Sequence, residues 1–237
     1  MNVSRYVRPT KLTQAAVVVS VCAISLTAGF LIARYDGLPD VLVVHFMRNG
    51  FPNGWQFKTW GRVLVPVFVQ LALVVTLGLI AALLLSRPHG RSVSDTDTAD
   101  MIAAATAAEA VALLGSIWIV VQAFAALALT RLWQRPRPIA RLDGYGAVEV
   151  IGLLLTIVVA IRAHLRLGRP EPRPFVPEHW RFGQLYKNPD DPALFVPTRN
   201  GARWTLNFGR PMAAALIGVV LVVGIVAPAL ILALSLR

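Results

Sequence analysis

The chain has 237 residues, 56% of them apolar and only 15% charged, with a formal net charge of +11. Soluble domains carry about 25% charged residues, and the charges here are excluded from long runs, so a soluble enzyme, a disordered chain and a disulfide-stapled secreted domain are all ruled out. In a soluble chain this basic balance would suggest nucleic acid, but 20 of the 23 positive residues are arginines scattered over every loop, with no aromatic-interleaved basic stripe; anionic lipid headgroups are the expected partner and nucleic acid is not.

Five segments hold the apolar residues. Residues 12–33, 63–86 and 211–236 carry no charge, 101–130 carries only Glu109, and 144–161 carries only Glu149. At a rise of about 1.5 Å per residue, about 20 residues cross a bilayer core, so each segment is read as a spanning helix, the fourth being the shortest and reaching about residue 163. The runs are continuously apolar and rich in Ala and Leu, without the alternation of a membrane barrel. The expected fold is an all-α integral membrane protein of five transmembrane helices with a small cytoplasmic β-hairpin module. Arg5, Arg8 and Lys11 precede the first segment as they would in a secretory signal, but its length and its end at Ile32-Ala33-Arg34-Tyr35 favour a retained helix. With five helices, the side holding the N-terminus has fourteen Lys/Arg and the other side nine. The positive-inside bias therefore places the N-terminus in the cytoplasm and the C-terminus outside. Cys22 lies within the first helix and has no cysteine to pair with.

The loop 34–62 is punctuated by Gly37, Pro39, Gly50, Pro52 and Gly54, with Trp55 and Trp60 where aromatic rings favour the membrane boundary. Asn49-Gly50 and Asn53-Gly54 read as turn dipeptides, and Val41–Phe46 as a short strand. His45 has no second His or Cys near it in the loop, so a loop-structuring hydrogen bond is favoured over partner recognition, and both over a metal. Leu38-Pro39, then His45-Phe46, then Gly50-x-Pro52-x-Gly54-Trp55 and Lys58 resemble the outer loop of a membrane-domain family that includes the N-terminal part of SdpI-type immunity proteins. Asn53 stands where that family commonly has an acidic residue. The resemblance covers about residues 10–85. It implies an SdpI-like N-terminal membrane domain over 1–86, a bacterial membrane protein, and a protective or signal-receiving role against a secreted peptide.

Two further spans are expected within 101–163. A Pro-rich arm and hairpin follow over 164–210. Prolines at 170, 172, 174 and 177 forbid a continuous helix in the arm. Asn200-Gly201 predicts a type I′ turn joining strands 194–199 and 202–208, with Trp204, Leu206 and Phe208 on one face and Pro197 marking an edge. A lone hairpin is marginal in water, so it should lean on helix ends, the membrane or a partner. Trp180, Gly183, Tyr186, Asn188-Pro189-Asp190-Asp191-Pro192, Phe195-Val196-Pro197, Gly201 and Trp204–Phe208 are similar to a second uncharacterised small domain, with no activity attached. Adjacent Asp190 and Asp191 point apart in an extended chain, so turn capping is favoured over cation binding.

Glu109 lies inside the third helix, where a carboxylate usually faces a cavity or a partner; a structural hydrogen bond to a close-packed neighbour is favoured over a functional role. Gln70 and Gln122 are candidate interhelical hydrogen-bond formers. No nucleophile elbow, zinc signature, phosphate loop or dinucleotide fingerprint occurs, so no catalytic residue, cofactor or metal is expected. The expected function is a non-enzymatic bacterial inner-membrane protein with an immunity or signal-sensing role. Contact residues are expected at His45, Phe46, Trp55, Lys58, Glu109 and Trp204, with an extracellular peptide as ligand and a cytoplasmic protein as partner. The alternatives are a small transporter or permease subunit using Glu109, and a membrane scaffold subunit.

Overall fold

The computed structural model describes residues 7–86, 95–136, 144–168, 175–191, 193–201, 203–219 and 221–222. It is mostly helical: α1 (Lys11–Arg34), the short α2 (Trp60–Val63), α3 (Val65–Leu85), α4 (Asp95–Gln134) and α5 (Tyr145–Leu167). Among the described residues four helices are long and apolar enough to cross a membrane, namely α1, α3, α4 from Met101, and α5. Residues 211–219 are also helical, and the rest of the expected fifth span, from 223 onward, lies outside the described residues. Of the Pro-rich arm, residues 169–174 likewise lie outside them.

The helices are apolar on the outside. Val17, Val18, Val21 and Leu26 on α1, and Val150, Leu153, Leu154, Ile157 and Val158 on α5, are exposed, as a lipid-facing surface requires. Hydroxyls inside the helices return their hydrogen to the carbonyl four residues back: Ser20 to Ala16, Thr27 to Ala23, Thr130 to Ala126 and Thr156 to Gly152. Each such bond removes a polar group that hydrocarbon could not satisfy.

Two compact units make up the chain. The first comprises Met1–Ala15, Thr76–Leu113 and Val158–Val222, the second Ala16–Val75, Leu114–Ile157 and Val223–Arg237. In the second unit, the segment after α1 forms strands β1 (Val41–Phe46) and β2 (Pro52–Phe57), paired antiparallel from Val41 opposite Phe57 to Phe46 opposite Pro52. The register shifts on either side of His45, which faces Gly54. Leu31, Leu38, Leu42, Val43, Val63, Ala126 and Trp133 form one core beneath this hairpin. The strand read at Val41–Phe46 is present. Asn49-Gly50 turns the hairpin, but Asn53-Gly54 is not a turn: it lies within β2. A Cβ on Gly54 would stand 2.7 Å from the His45 Cβ, so glycine is needed here for close approach of the strands.

α4 and α5 also meet in this unit at Gly152, where a Cβ would fall 2.8 Å from Val121 Cγ2. Small residues at such positions let helices pack closely in lipid. At the centre of the unit, fully buried Gln70 donates through Nε2 to Thr27 Oγ1 at 3.1 Å and to the Ile119 carbonyl at 2.9 Å. One side chain of α3 thereby contacts both α1 and α4. Its Oε1 is buried with no hydrogen-bond partner among the described residues.

In the first unit, β3 (Trp180–Arg181) pairs with β4 (Leu185–Tyr186), and β5 (Phe195–Pro197) pairs with β6 (Trp204–Leu206). Leu194 joins a core made by Ala81 and Leu84 of α3, Ala108 of α4, and Ala213 and Leu216, with Phe195 and Leu206 packed against it. The hairpin expected to need support therefore leans on helix ends. Its register, Phe195 opposite Leu206 and Pro197 opposite Trp204, agrees with a turn centred on Asn200-Gly201, but the turn is not type I′. That type needs positive φ at both central residues, and among the described non-glycine residues only Phe182 has it, while Gly201 sits at φ 65°. Thr198 explains the difference. Its backbone N–H donates to the Arg203 carbonyl at 2.7 Å and its carbonyl accepts from Gly201 N at 2.7 Å, while its hydroxyl accepts from Arg203 N at 3.0 Å. Thr198 and Arg203 thus close the ladder ahead of Asn200-Gly201.

Candidate functional site

Three places bring polar and aromatic side chains together: the outer face of the β1–β2 hairpin, the surroundings of Glu109, and the small module 175–210.

The hairpin is fixed from its core side. Trp133 of α4 donates through Nε1 to the Val43 carbonyl at 3.0 Å. Lys58 donates through Nζ to the Leu38 carbonyl at 2.9 Å and the Tyr35 carbonyl at 3.4 Å, and lies 5.0 Å from the Tyr35 ring centroid. Tyr35 in turn stacks on Trp60, with ring centroids 3.6 Å apart, so the residues entering and leaving the hairpin touch. His45 Nδ1 and Asn53 Oδ1 are 2.5 Å apart. Asn53 thus ties the residue opposite Gly54 to the strand carrying it. Lys58 and Phe46 turn inward, Phe46 packing on the core, whereas His45 and Trp55 face solvent. Trp55 is 55% exposed and Phe57, two residues along the same strand, 75%. Phe57 was not foreseen. Its position beyond the motif, at i+2 from Trp55 in what reads as loop, gave no alternation to place it on the same face.

Glu109 is 3% exposed. Its Oε1 accepts from Arg166 Nη1 at 2.7 Å and from Arg162 Nε and Nη2 at 3.3 Å, and its Oε2 accepts from Thr10 Oγ1 at 2.6 Å. The hydrogen of Thr10 goes to the carboxylate, leaving the oxygen to accept from Thr13 N at 3.1 Å and so cap the start of α1. The two arginines are only half-buried, at 47% and 39% side-chain exposure. A carboxylate that looks isolated in sequence is therefore met by the residue that caps α1 and by the last turns of α5. These partners stand 53, 57 and 99 positions away, a separation that no local pattern reveals.

The module 175–210 is organised by Asn207, which is fully buried. Its Nδ2 donates to the carbonyls of Asn188, Asp191 and Ala193 at 2.8, 3.1 and 3.2 Å, and its Oδ1 accepts from Asn188 N at 3.0 Å and Gly209 N at 2.9 Å. Asp191 accepts from Tyr186 Oη at 3.0 Å and from Ala193 N at 2.9 Å, and Asn188 Oδ1 accepts from Asp190 N at 3.0 Å. The acidic pair belongs to this turn. Gly209 lies so close to the backbone of Asn188 and Pro189 that a Cβ there would overlap it. Trp204, expected as a contact residue, is half-buried, with its Nε1 enclosed and without a hydrogen-bond partner among the described residues. Aromatic residues gather instead around a cleft of about 250 Å³ lined by Phe175, His179, Trp180, Tyr186, Pro197 and Arg199 among others. Among the described residues no group of three or more His, Cys, Asp or Glu is placed to hold a metal ion.

Residues 189–213 match a family of unknown function, DUF5808. The matched stretch runs from the acidic turn through β5 and β6 to the start of the last helical segment, and includes Asn207 and Gly209. No curated protein matches the chain. No solved structure matches it either.

Proposed function

We propose that the chain is a non-enzymatic, five-span protein of the bacterial inner membrane, with its N-terminus and the module 175–210 in the cytoplasm, and that it receives an extracellular peptide at the β1–β2 hairpin in an immunity or signal-sensing role. The observation that carries this reading is the hairpin itself. It is held from beneath by Trp133, Lys58 and the Tyr35–Trp60 stack, yet it leaves Trp55 and Phe57 uncovered on one strand. Exposed aromatic residues on a fixed support lose little entropy on binding, and aromatic side chains dominate recognition energies. The resemblance of Leu38 through Lys58 to the outer loop of SdpI-type immunity proteins supports the same reading. The transport alternative draws less support, because Glu109 is committed to Thr10, Arg162 and Arg166 at helix ends.

The test is peptide protection. Cells carrying Trp55→Ala with Phe57→Ala are expected to lose resistance to a secreted antibacterial peptide fraction that wild-type cells survive, with the variant at normal abundance in the membrane. Equal survival of wild type, the double variant and a deletion strain against every envelope-active fraction would remove the proposal.

A further inference from the structure

We propose that the aromatic cleft of the module 175–210 binds an extended, proline-containing acidic segment of a partner protein. The inference rests on reading this module as the partner-facing side of the protein, and it names the partner's chemistry.

The shape of the cleft comes first. Trp180 and Tyr186 are cross-strand partners on β3 and β4, their rings 5.3 Å apart at 71°. Phe175 stands 6.3 Å from Trp180, and His179 is edge-on to Tyr186 at 5.8 Å. The Tyr186 hydroxyl is tied to Asp191, so this ring is anchored. The opposite wall is the end of β5 and the turn after it, through Pro197 and Arg199. At about 250 Å³ the cleft admits a few side-chain rings. A peptide could approach β5 by adding a strand, but Pro197 has no N–H to offer and β5 is only three residues long. Recognition must then come from side chains. A polyproline II segment meets that condition, because it has no internal hydrogen bonds to protect and docks its rings into aromatic-lined grooves.

The charge requirement follows from Arg199. Its guanidinium carbon lies 4.5 Å from the Phe175 ring centroid, so one face is covered and its N–H edge is the part available to an acceptor. A carboxylate suits that edge. Besides Arg199, the described residues of the module include Arg181, Lys187, Arg203 and Arg210 against Glu178, Asp190 and Asp191, and Asp191 is engaged in the turn. The described residues of the module are net positive, and Arg199 is the charged side chain in the cleft lining, which fits an acidic segment.

The experiment uses the full chain in detergent or nanodiscs, with a fluorescein-labelled peptide of sequence Glu-Pro-Pro-Pro-Glu-Pro read by anisotropy. Saturable binding is expected, weakened at least tenfold when the prolines become alanines. Arg199→Glu, at a solvent-facing loop position, is expected to weaken the acidic peptide at least tenfold and to favour a Lys-flanked counterpart. Trp180→Ala should weaken both peptides. The proposal is overturned if binding fails to saturate up to about 1 mM, if the alanine peptide binds equally, if Arg199→Glu changes nothing, or if the wild-type cleft binds anionic vesicles and no peptide. This is measured on purified protein, so its failure leaves the survival phenotype of the hairpin variants as an independent result.

Discussion

Replacing Asn207 by alanine removes the side chain on which the turn 188–193 and the exit from β6 converge. Three carbonyls lose a donor and two amides, those of Asn188 and Gly209, lose their acceptor. At about 1 kcal/mol for each hydrogen bond the loss is bounded near 5 kcal/mol. Two N–H groups are shared among three carbonyls, and several of these groups lie near enough to the surface for water to replace the amide, so about 3 kcal/mol is expected. That corresponds to about a hundredfold more frequent local opening. Hydrogen exchange of the full-length protein in nanodiscs, followed on peptides covering 186–209, reads this directly. Asn207→Asp is expected to be at least as damaging, because it keeps the acceptor for the two amides but sets a carboxylate against three carbonyl oxygens in a fully buried position. If protection falls less than about threefold in both variants, Asn207 does not organise the module.

Three other outcomes follow from the geometry. Glu109→Gln should cost about 1–3 kcal/mol, less than a fully buried ion pair because Arg162 and Arg166 reach solvent; it is measured as a lower thermal midpoint in detergent, and Arg162→Gln with Arg166→Gln in that background should recover part of the loss. Gly54→Ala should separate β1 from β2 at His45 and cost about 1–3 kcal/mol, seen as faster proteolysis of the hairpin; an unchanged rate would mean that the strands shift at no cost. Phe182, at φ 51° and 95% exposed, holds a left-handed conformation that costs a non-glycine residue roughly 1–2 kcal/mol. Phe182→Gly is therefore expected to slow cleavage of the β3–β4 turn, and faster cleavage would mean that the exposed ring is held by a surface in the assembled membrane.

Four long apolar helices were the most legible part, because charge exclusion over about 20 residues has few other causes. Their ends were less so. α5 runs on through Arg162, His164 and Arg166 to Leu167, beyond the apolar run 144–161, because Arg162 and Arg166 face Glu109 rather than lipid. The strand at Val41–Phe46 was readable from its β-branched residues. β2 was hidden because Pro52, Asn53 and Gly54 all read as breakers; only the approach of His45 gives the glycine its place in a strand. In the module, the expected turn residues set the register, yet Asn200 lacks the positive φ of a type I′ turn and the hydroxyl of Thr198 takes the Arg203 amide. Asn207 gave no signal as an organiser, since its partners lie up to 19 positions back along an irregular segment.

Gln70 has a consequence for how the long apolar helices find their alignment. Helices rich in Val, Leu and Ala present nearly equivalent surfaces after a slip of one turn, about 5.4 Å, and lipid gives no hydrophobic preference among such positions. The amide of Gln70 breaks that degeneracy, because it reaches Thr27 and the Ile119 carbonyl together only at one height. Its enclosed Oε1, unpaired among the described residues, makes the contact a poor source of stability. Its value is as a vernier mark: α1, α3 and α4 can be assembled in any order, but they stop sliding at one reading.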